Sequence, residues 1–107
     1  MATDLAVQYT FATPSLSGDT VLIAAQPGQR IRVLQCCVIT GGANNVKFHG
    51  GGGSDLSALF PLAQNGGFVL PYSAIGWFNT AIGESLVFNM SAAVATAVQL
   101  VWCPYSF

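Results

Sequence analysis

A chain of 107 residues has room for one domain and too little for two with separate cores. Only 7% of it is charged, against about 25% in an ordinary soluble domain. Its surface is therefore either neutral and polar, or apolar and covered by other chains. Three scattered Lys and Arg and a net charge of −1 cannot neutralise a phosphate backbone, which excludes nucleic-acid binding.

The start, MATDLAVQYT, lacks the positive stretch and continuous apolar run of a secretory signal. From there, short runs rich in Val, Ile, Phe, Tyr and Thr alternate with Gly, Pro and Asn turn signals. Strands are expected near 6–12, 20–26, 29–40, 45–49, 57–63, 67–70, 76–79, 85–90 and 95–103. No helix and no internal repeat stands out. The expected fold is all-β, a single sandwich or barrel domain over residues 1–107.

Three strands carry more detail. QRIRVLQCCVIT is too β-branched for a helix. Arg30 and Arg32 alternate with Ile31 and Val33, and the alternation fails after Leu34. Either a bulge resets the register there, or the strand enters a region covered on both faces. In ESLVFNM, Leu86, Phe88 and Met90 share a face. In ATAVQLVW, Thr96, Val98, Leu100 and Trp102 share one face, opposite Ala95, Ala97, Gln99 and Val101. Residues 85–107 carry no charge, but Asn89, Thr96, Gln99 and Pro104 interrupt them, so two strands fit better than a membrane span.

The inventory for catalysis is thin. His49 is the one histidine, beside a glycine run, and is expected at an exposed strand end. No acid or thiol stands at ligand spacing from it. Cys36, Cys37 and Cys103 form no CxxC pattern, and neighbours on one strand point to opposite faces; reduced, buried thiols suit a reducing cytoplasm. Asp19 and Asp55 sit in turn sequences. HGGGGSD lies between strands and lacks a following GK[ST], so it reads as a flexible loop rather than a phosphate cradle. No catalytic, cofactor or metal site is expected, and no enzyme activity.

Residues 60–93 are the most specific stretch. Asn65-Gly66-Gly67 should form a tight turn, and Pro71 should send the chain away from the sheet. Gly76-Trp77-Phe78 supplies aromatic area for either the core or a contact with a neighbour. This order of NGGFVLP, then Gly76-Trp77-Phe78 with Thr80, then Gly83-Glu84 with Leu86, Asn89 and Ser91-Ala92-Ala93, resembles a family of small phage virion proteins. These are decoration, cement or head-associated proteins, and similar domains occur in tail fibres. The similarity spans roughly residues 20–102. The positions that match are Asn65, Gly66, Gly67, Leu70, Pro71, Gly76, Trp77, Phe78, Gly83, Glu84, Asn89 and Ser91. They look like turn and packing determinants. The four-glycine run from Gly50 and the tail PYSF depart from the pattern.

The resemblance implies an antiparallel, jelly-roll-like β-sandwich, for which a tumour-necrosis-factor-like topology is one option, on the capsid surface of a virion assembled in the host cytoplasm. Its expected partners are copies of itself, as a homotrimer, and the major capsid protein. No cofactor, membrane or nucleic acid is implied. The competing reading is a receptor- or carbohydrate-binding module of a tail fibre or spike. A cupin-type enzyme would need more histidines than the one present. Expected contact residues come from the strands that look covered on both faces, the aromatic cluster and the tail. They are Leu34, Cys36, Val38, Trp77, Phe78, Val98, Trp102, Tyr105 and Phe107.

Overall fold

The computed structural model describes residues 7–105, and no helix occurs among them. Nine strands form: β1 (Gln8–Ala12), β2 (Gly18–Ile23), β3 (Arg30–Thr40), β4 (Asn44–Gly50), β5 (Phe60–Leu62), β6 (Gly67–Leu70), β7 (Phe78–Asn79), β8 (Leu86–Met90) and β9 (Thr96–Tyr105). Each run expected from the sequence carries one of them, with ends moved by three residues at most.

The strands make two antiparallel sheets, ordered β1-β9-β3-β6 and β2-β8-β4-β5, with the short β7 added beside β3. Only the β4–β5 connection and the path from β6 to β7 stay within a sheet. Every other connection crosses the sandwich. With β7 set aside, this is the eight-strand jelly-roll order.

Alternation explains which side chains meet between the sheets. Ile31, Val33, Cys36 and Val38 of β3 and Val98, Leu100 and Trp102 of β9 face Val46 and Phe48 of β4 and Leu86, Phe88 and Met90 of β8. Phe48 is the hub of the aromatic packing, with ring centroids 5.0 Å from Phe78 and 5.1 Å from Phe88.

The break after Leu34 is a bulge. Val33 pairs with Trp102 and Gln35 with Val101, so Leu34 has no partner on β9. Odd-numbered residues point inward before it and even-numbered residues after it, which keeps both halves of β3 in the core. The segment after β6 crosses this point. The N–H groups of Ser73 and Trp77 donate to the carbonyls of Leu34 and Val33, at 2.9 and 2.8 Å. The other face of this strand is open in the single chain: Gln35 and Ile39 are exposed and Cys37 is half-buried.

The turn before β6 forms as expected. Asn65 takes φ 62° and the Gly66 N–H donates to Ala63 O at 2.8 Å. Gly67 then lies so close to β3 that a Cβ there would run into the Val38 carbonyl oxygen.

Candidate functional site

The two sheets present outer faces of opposite character. On the β2-β8-β4-β5 sheet, Asp19, Asn89 and Lys47 form one cross-strand row, and Val21, Val87 and His49 the next. Lys47 is paired with Asp55 at 3.0 Å. This face is charged and polar, and its polar groups bind one another.

Among the described residues, the β1-β9-β3-β6 sheet has no charged group on its outer face beyond the bulge. Its rows run Tyr9, Val101, Gln35; then Phe11, Gln99, Cys37, Val69; then Ala97, Ile39, Gly67. Tyr9, Phe11, Ile39 and Val69 are 53–71% exposed. Two shallow depressions of about 210 and 270 Å³ lie between these side chains. Both are below the roughly 300–1,000 Å³ of a small-molecule pocket. Their shallow, mixed polar and apolar lining suits a broad protein contact better than a small ligand. Arg30 and Arg32 also point outward, but on the far side of the bulge. There Arg32 stacks over the Tyr105 ring at 4.2 Å and Trp77, Asn79 and Thr80 close the end.

Most contact residues expected from the sequence are not at a surface. Cys36, Val38, Val98 and Trp102 are buried between the sheets, and Leu34 is buried at the bulge. The first four face inward because each belongs to the inward set of its strand, and Leu34 is buried at the unpaired bulge position, so a neighbour cannot reach them. Phe78 is half-buried against Phe48, and Tyr105 is half-buried beside Arg32. Trp77 is 45% exposed, with its Nε1 donating to Pro71 O at 2.7 Å, and stands near the exposed Tyr72 and Ile75. Phe107 lies outside the described residues. The reachable set, Tyr9, Phe11, Cys37, Ile39, Val69, Gln35 and Gln99, was missed. Its signal was the two-residue spacing of Tyr9 and Phe11 in QYTFA and the outward set of the last strand.

His49 is buried, not exposed. Its Nε2 lies 3.0 Å from Asp19 Oδ1, and its Nδ1 lies 2.7 Å from the Gly50 carbonyl. Asn89 donates to the same Asp19 oxygen at 2.7 Å. The hydrogen bond to Asp19 raises the His49 pKa, and the bonds from His49 and Asn89 hold the Asp19 carboxyl below its ordinary range. The pair lies on a flat outer face, and no nucleophile adjoins it.

The glycine run is a closed turn, not a loose loop. Gly50 N–H donates to Ser54 O, Gly53 N–H to Gly50 O and Gly51 N–H to Ser85 O, at 2.9–3.0 Å. The Glu84 carboxylate lies against Gly50 and Gly52, where any Cβ would strike it. A carboxylate in this place repels the anion a glycine cradle would bind. Burial pushes the Cys36 thiol up to about 12 and raises that of Cys103. Among the described residues, no three His, Cys, Asp or Glu groups are placed to hold a metal ion, and no helix is long and apolar enough to cross a membrane.

Comparison of the chain with protein-family models, curated proteins and solved structures finds no match.

Proposed function

We propose that the chain is a structural subunit that assembles with copies of itself through the outer face of the β1-β9-β3-β6 sheet, and serves as a trimeric decoration or cement protein on a phage capsid. The observation that carries the assembly is the contrast between the two outer faces. One has its charges paired across strands; the other, past the bulge, offers four large apolar side chains and no charged group among the described residues. The capsid role rests on the resemblance of residues 60–93 to phage virion proteins, and the jelly-roll order agrees with what that resemblance implies.

Magnitudes say how strong the assembly is. Full burial of a large apolar side chain contributes about 1.5–3 kcal/mol. Four that are already half-covered contribute roughly 3–6 kcal/mol together. Association costs about 4–15 kcal/mol in lost freedom. One such face alone therefore associates weakly. A closed ring, in which each chain makes two contacts, or a lattice that holds the copies together, supplies the rest.

The test is sedimentation of the purified chain over a concentration series reaching about 1 mM, where even a contact of about 4 kcal/mol becomes populated. Reversible association is expected. A chain that stays monomeric throughout removes the self-assembly reading. Particles that lack the protein and keep their full resistance to heat and pressure remove the cement role.

A further inference from the structure

Of the asparagines in the chain, Asn65 alone precedes a glycine. That order matters chemically. The next backbone nitrogen along the chain can attack an asparagine side-chain carbonyl and close a five-membered ring. A side chain on the following residue crowds that nitrogen, and glycine has none. Asn44, Asn79 and Asn89 are also held by hydrogen bonds to Thr96, Arg32 and Asp19. Asn45 is followed by Val46, whose branched Cβ shields the nitrogen. The Asn65 side chain is exposed and makes no hydrogen bond to another described residue.

The turn withholds the nucleophile. The Gly66 N–H donates to Ala63 O at 2.8 Å, and the Gly66 carbonyl accepts from the Thr40 N–H at 2.9 Å. Gly66 is thus tied on one side to its own turn and on the other to the end of β3. Gly67 follows directly, packed against the Val38 carbonyl with no room for a Cβ. The strand that starts there, β6, has four residues and pairs with β3 alone among the described strands. Short edge elements open locally at a free energy below that of global unfolding.

We propose that Asn65 is a site of spontaneous deamidation that the folded turn guards, and that the rearranged product keeps β6 from docking again on β3. When β6 lifts, the Gly66 nitrogen gives up its proton and bonds to Asn65 Cγ. The Cγ–Nδ2 bond breaks and ammonia leaves with that proton. Water then opens the ring at one of its two carbonyls. Opening at Cγ gives aspartate in the ordinary chain. Opening at the backbone carbonyl gives isoaspartate, in which the main chain runs through the side chain. Either product adds a negative charge to a chain of net charge −1. Only isoaspartate also lengthens the main chain, by one carbon. A longer chain cannot hold the Gly66 carbonyl on Thr40 and Gly67 against Val38 at once. Lifting of β6 is reversible; the modification is not.

The test incubates the full chain, folded and in denaturant, at mildly alkaline pH and follows every asparagine by peptide mass mapping. In denaturant Asn65 should convert before any other asparagine. In the folded chain its conversion should be slower by about tenfold or more, the factor by which the closed turn outnumbers the open one. Chromatography separates the isoaspartyl chain for hydrogen exchange. Its β6 amides should exchange on the order of tenfold faster than in the unmodified chain, with those of β4 unchanged. Asn65→Asp carries the charge without the longer main chain and should keep the unmodified pattern. A folded chain that converts as fast as the denatured one overturns the guard. Another asparagine that converts first in denaturant overturns the site. An isoaspartyl chain that keeps β6 protected, or an Asn65→Asp chain that loses the protection, overturns the one-way block.

Discussion

His49 and Asp19 join β4 to β2 across the intervening β8 strand, with Nε2 and Oδ1 3.0 Å apart. The other ring nitrogen faces the Gly50 carbonyl at 2.7 Å. Both partners are acceptors, and both ring nitrogens can donate at once only in the imidazolium. Lys47, on the same face, opposes that charge, though Asp55 pairs with it.

The sign of the pH dependence follows. The folded pKa of His49 is raised, so its contribution to stability is complete below the unfolded value of about 6.5 and is lost as pH rises through the folded value. The folded pKa of Asp19 is lowered, so its contribution is complete above the unfolded value of about 3.9 and is lost as pH falls through the folded value. Denaturant unfolding should therefore show greatest stability between about pH 4 and 6.5, declining as pH rises beyond that. As the one histidine, His49 can be titrated by NMR without assignment ambiguity. Asp19→Asn should bring its pKa down, and His49→Gln should flatten the stability profile above pH 6. A wild-type pKa below that of a free histidine would contradict the clamp.

The glycines make a second, graded prediction. A methyl group at Gly67 meets the Val38 carbonyl and the Ile39 Cα, which are backbone atoms in the middle of a sheet. A methyl group at Gly52 meets the carboxylate end of Glu84, which can swing aside. Gly67→Ala should cost about 2–3 kcal/mol and Gly52→Ala less than about 1, measured by denaturant unfolding. Equal losses would mean that Glu84 is held as rigidly as the sheet.

The two tryptophans should separate core from surface. Trp102 is buried and donates to Thr10 Oγ1 at 3.0 Å, which ties β9 to β1 from the inside. Trp102→Ala should cost about 3–5 kcal/mol. Trp77→Ala should stay within about 1 kcal/mol, since half of the ring is already in water and one hydrogen bond is lost. Emission of the Trp102-only variant should lie to the blue of the Trp77-only variant.

These contrasts show what the sequence could and could not carry. Strand positions were legible because β-branched runs and turn residues act locally. Gln35 and Cys37 show the limit. Alternation divides a strand into two sets, but which set faces inward is decided by strands far away in the chain. Cys36, Val38, Val98 and Trp102 looked like contact residues because they are large and apolar. The same property places them in the core, and the reachable face carries Tyr9, Phe11, Ile39 and Val69 instead, mixed with Gln35, Cys37 and Gln99. His49 looked exposed because its neighbours are glycines. Its partner Asp19 is 30 residues away, brought close only by the order of β2, β8 and β4.

Asn44 is another residue whose role depends on such distant placement. It is buried at the start of β4. Its Nδ2 donates to Thr96 Oγ1 at 3.1 Å, and its Oδ1 accepts from the backbone N–H groups of Ser91 and Ala92, each at 3.1 Å. Thr96 Oγ1 in turn lies 3.2 Å from Thr40 Oγ1, which donates to Gly42 O at 2.7 Å. One amide thus links the turn after β3 to the turn before β9. Asn44→Ala removes the acceptor of the Ala92 N–H and a donor to Thr96, while the Ser91 N–H keeps its second acceptor, Asn45 O at 3.0 Å, for a loss of about 2–3 kcal/mol. Asn45→Ala changes the exposed neighbour on the opposite face and should stay within about 0.5 kcal/mol. Hydrogen exchange adds the local signature. In Asn44→Ala the Ala92 amide should lose protection before those of β8 do, whereas uniform loss along the chain would show that the network only adds to global stability.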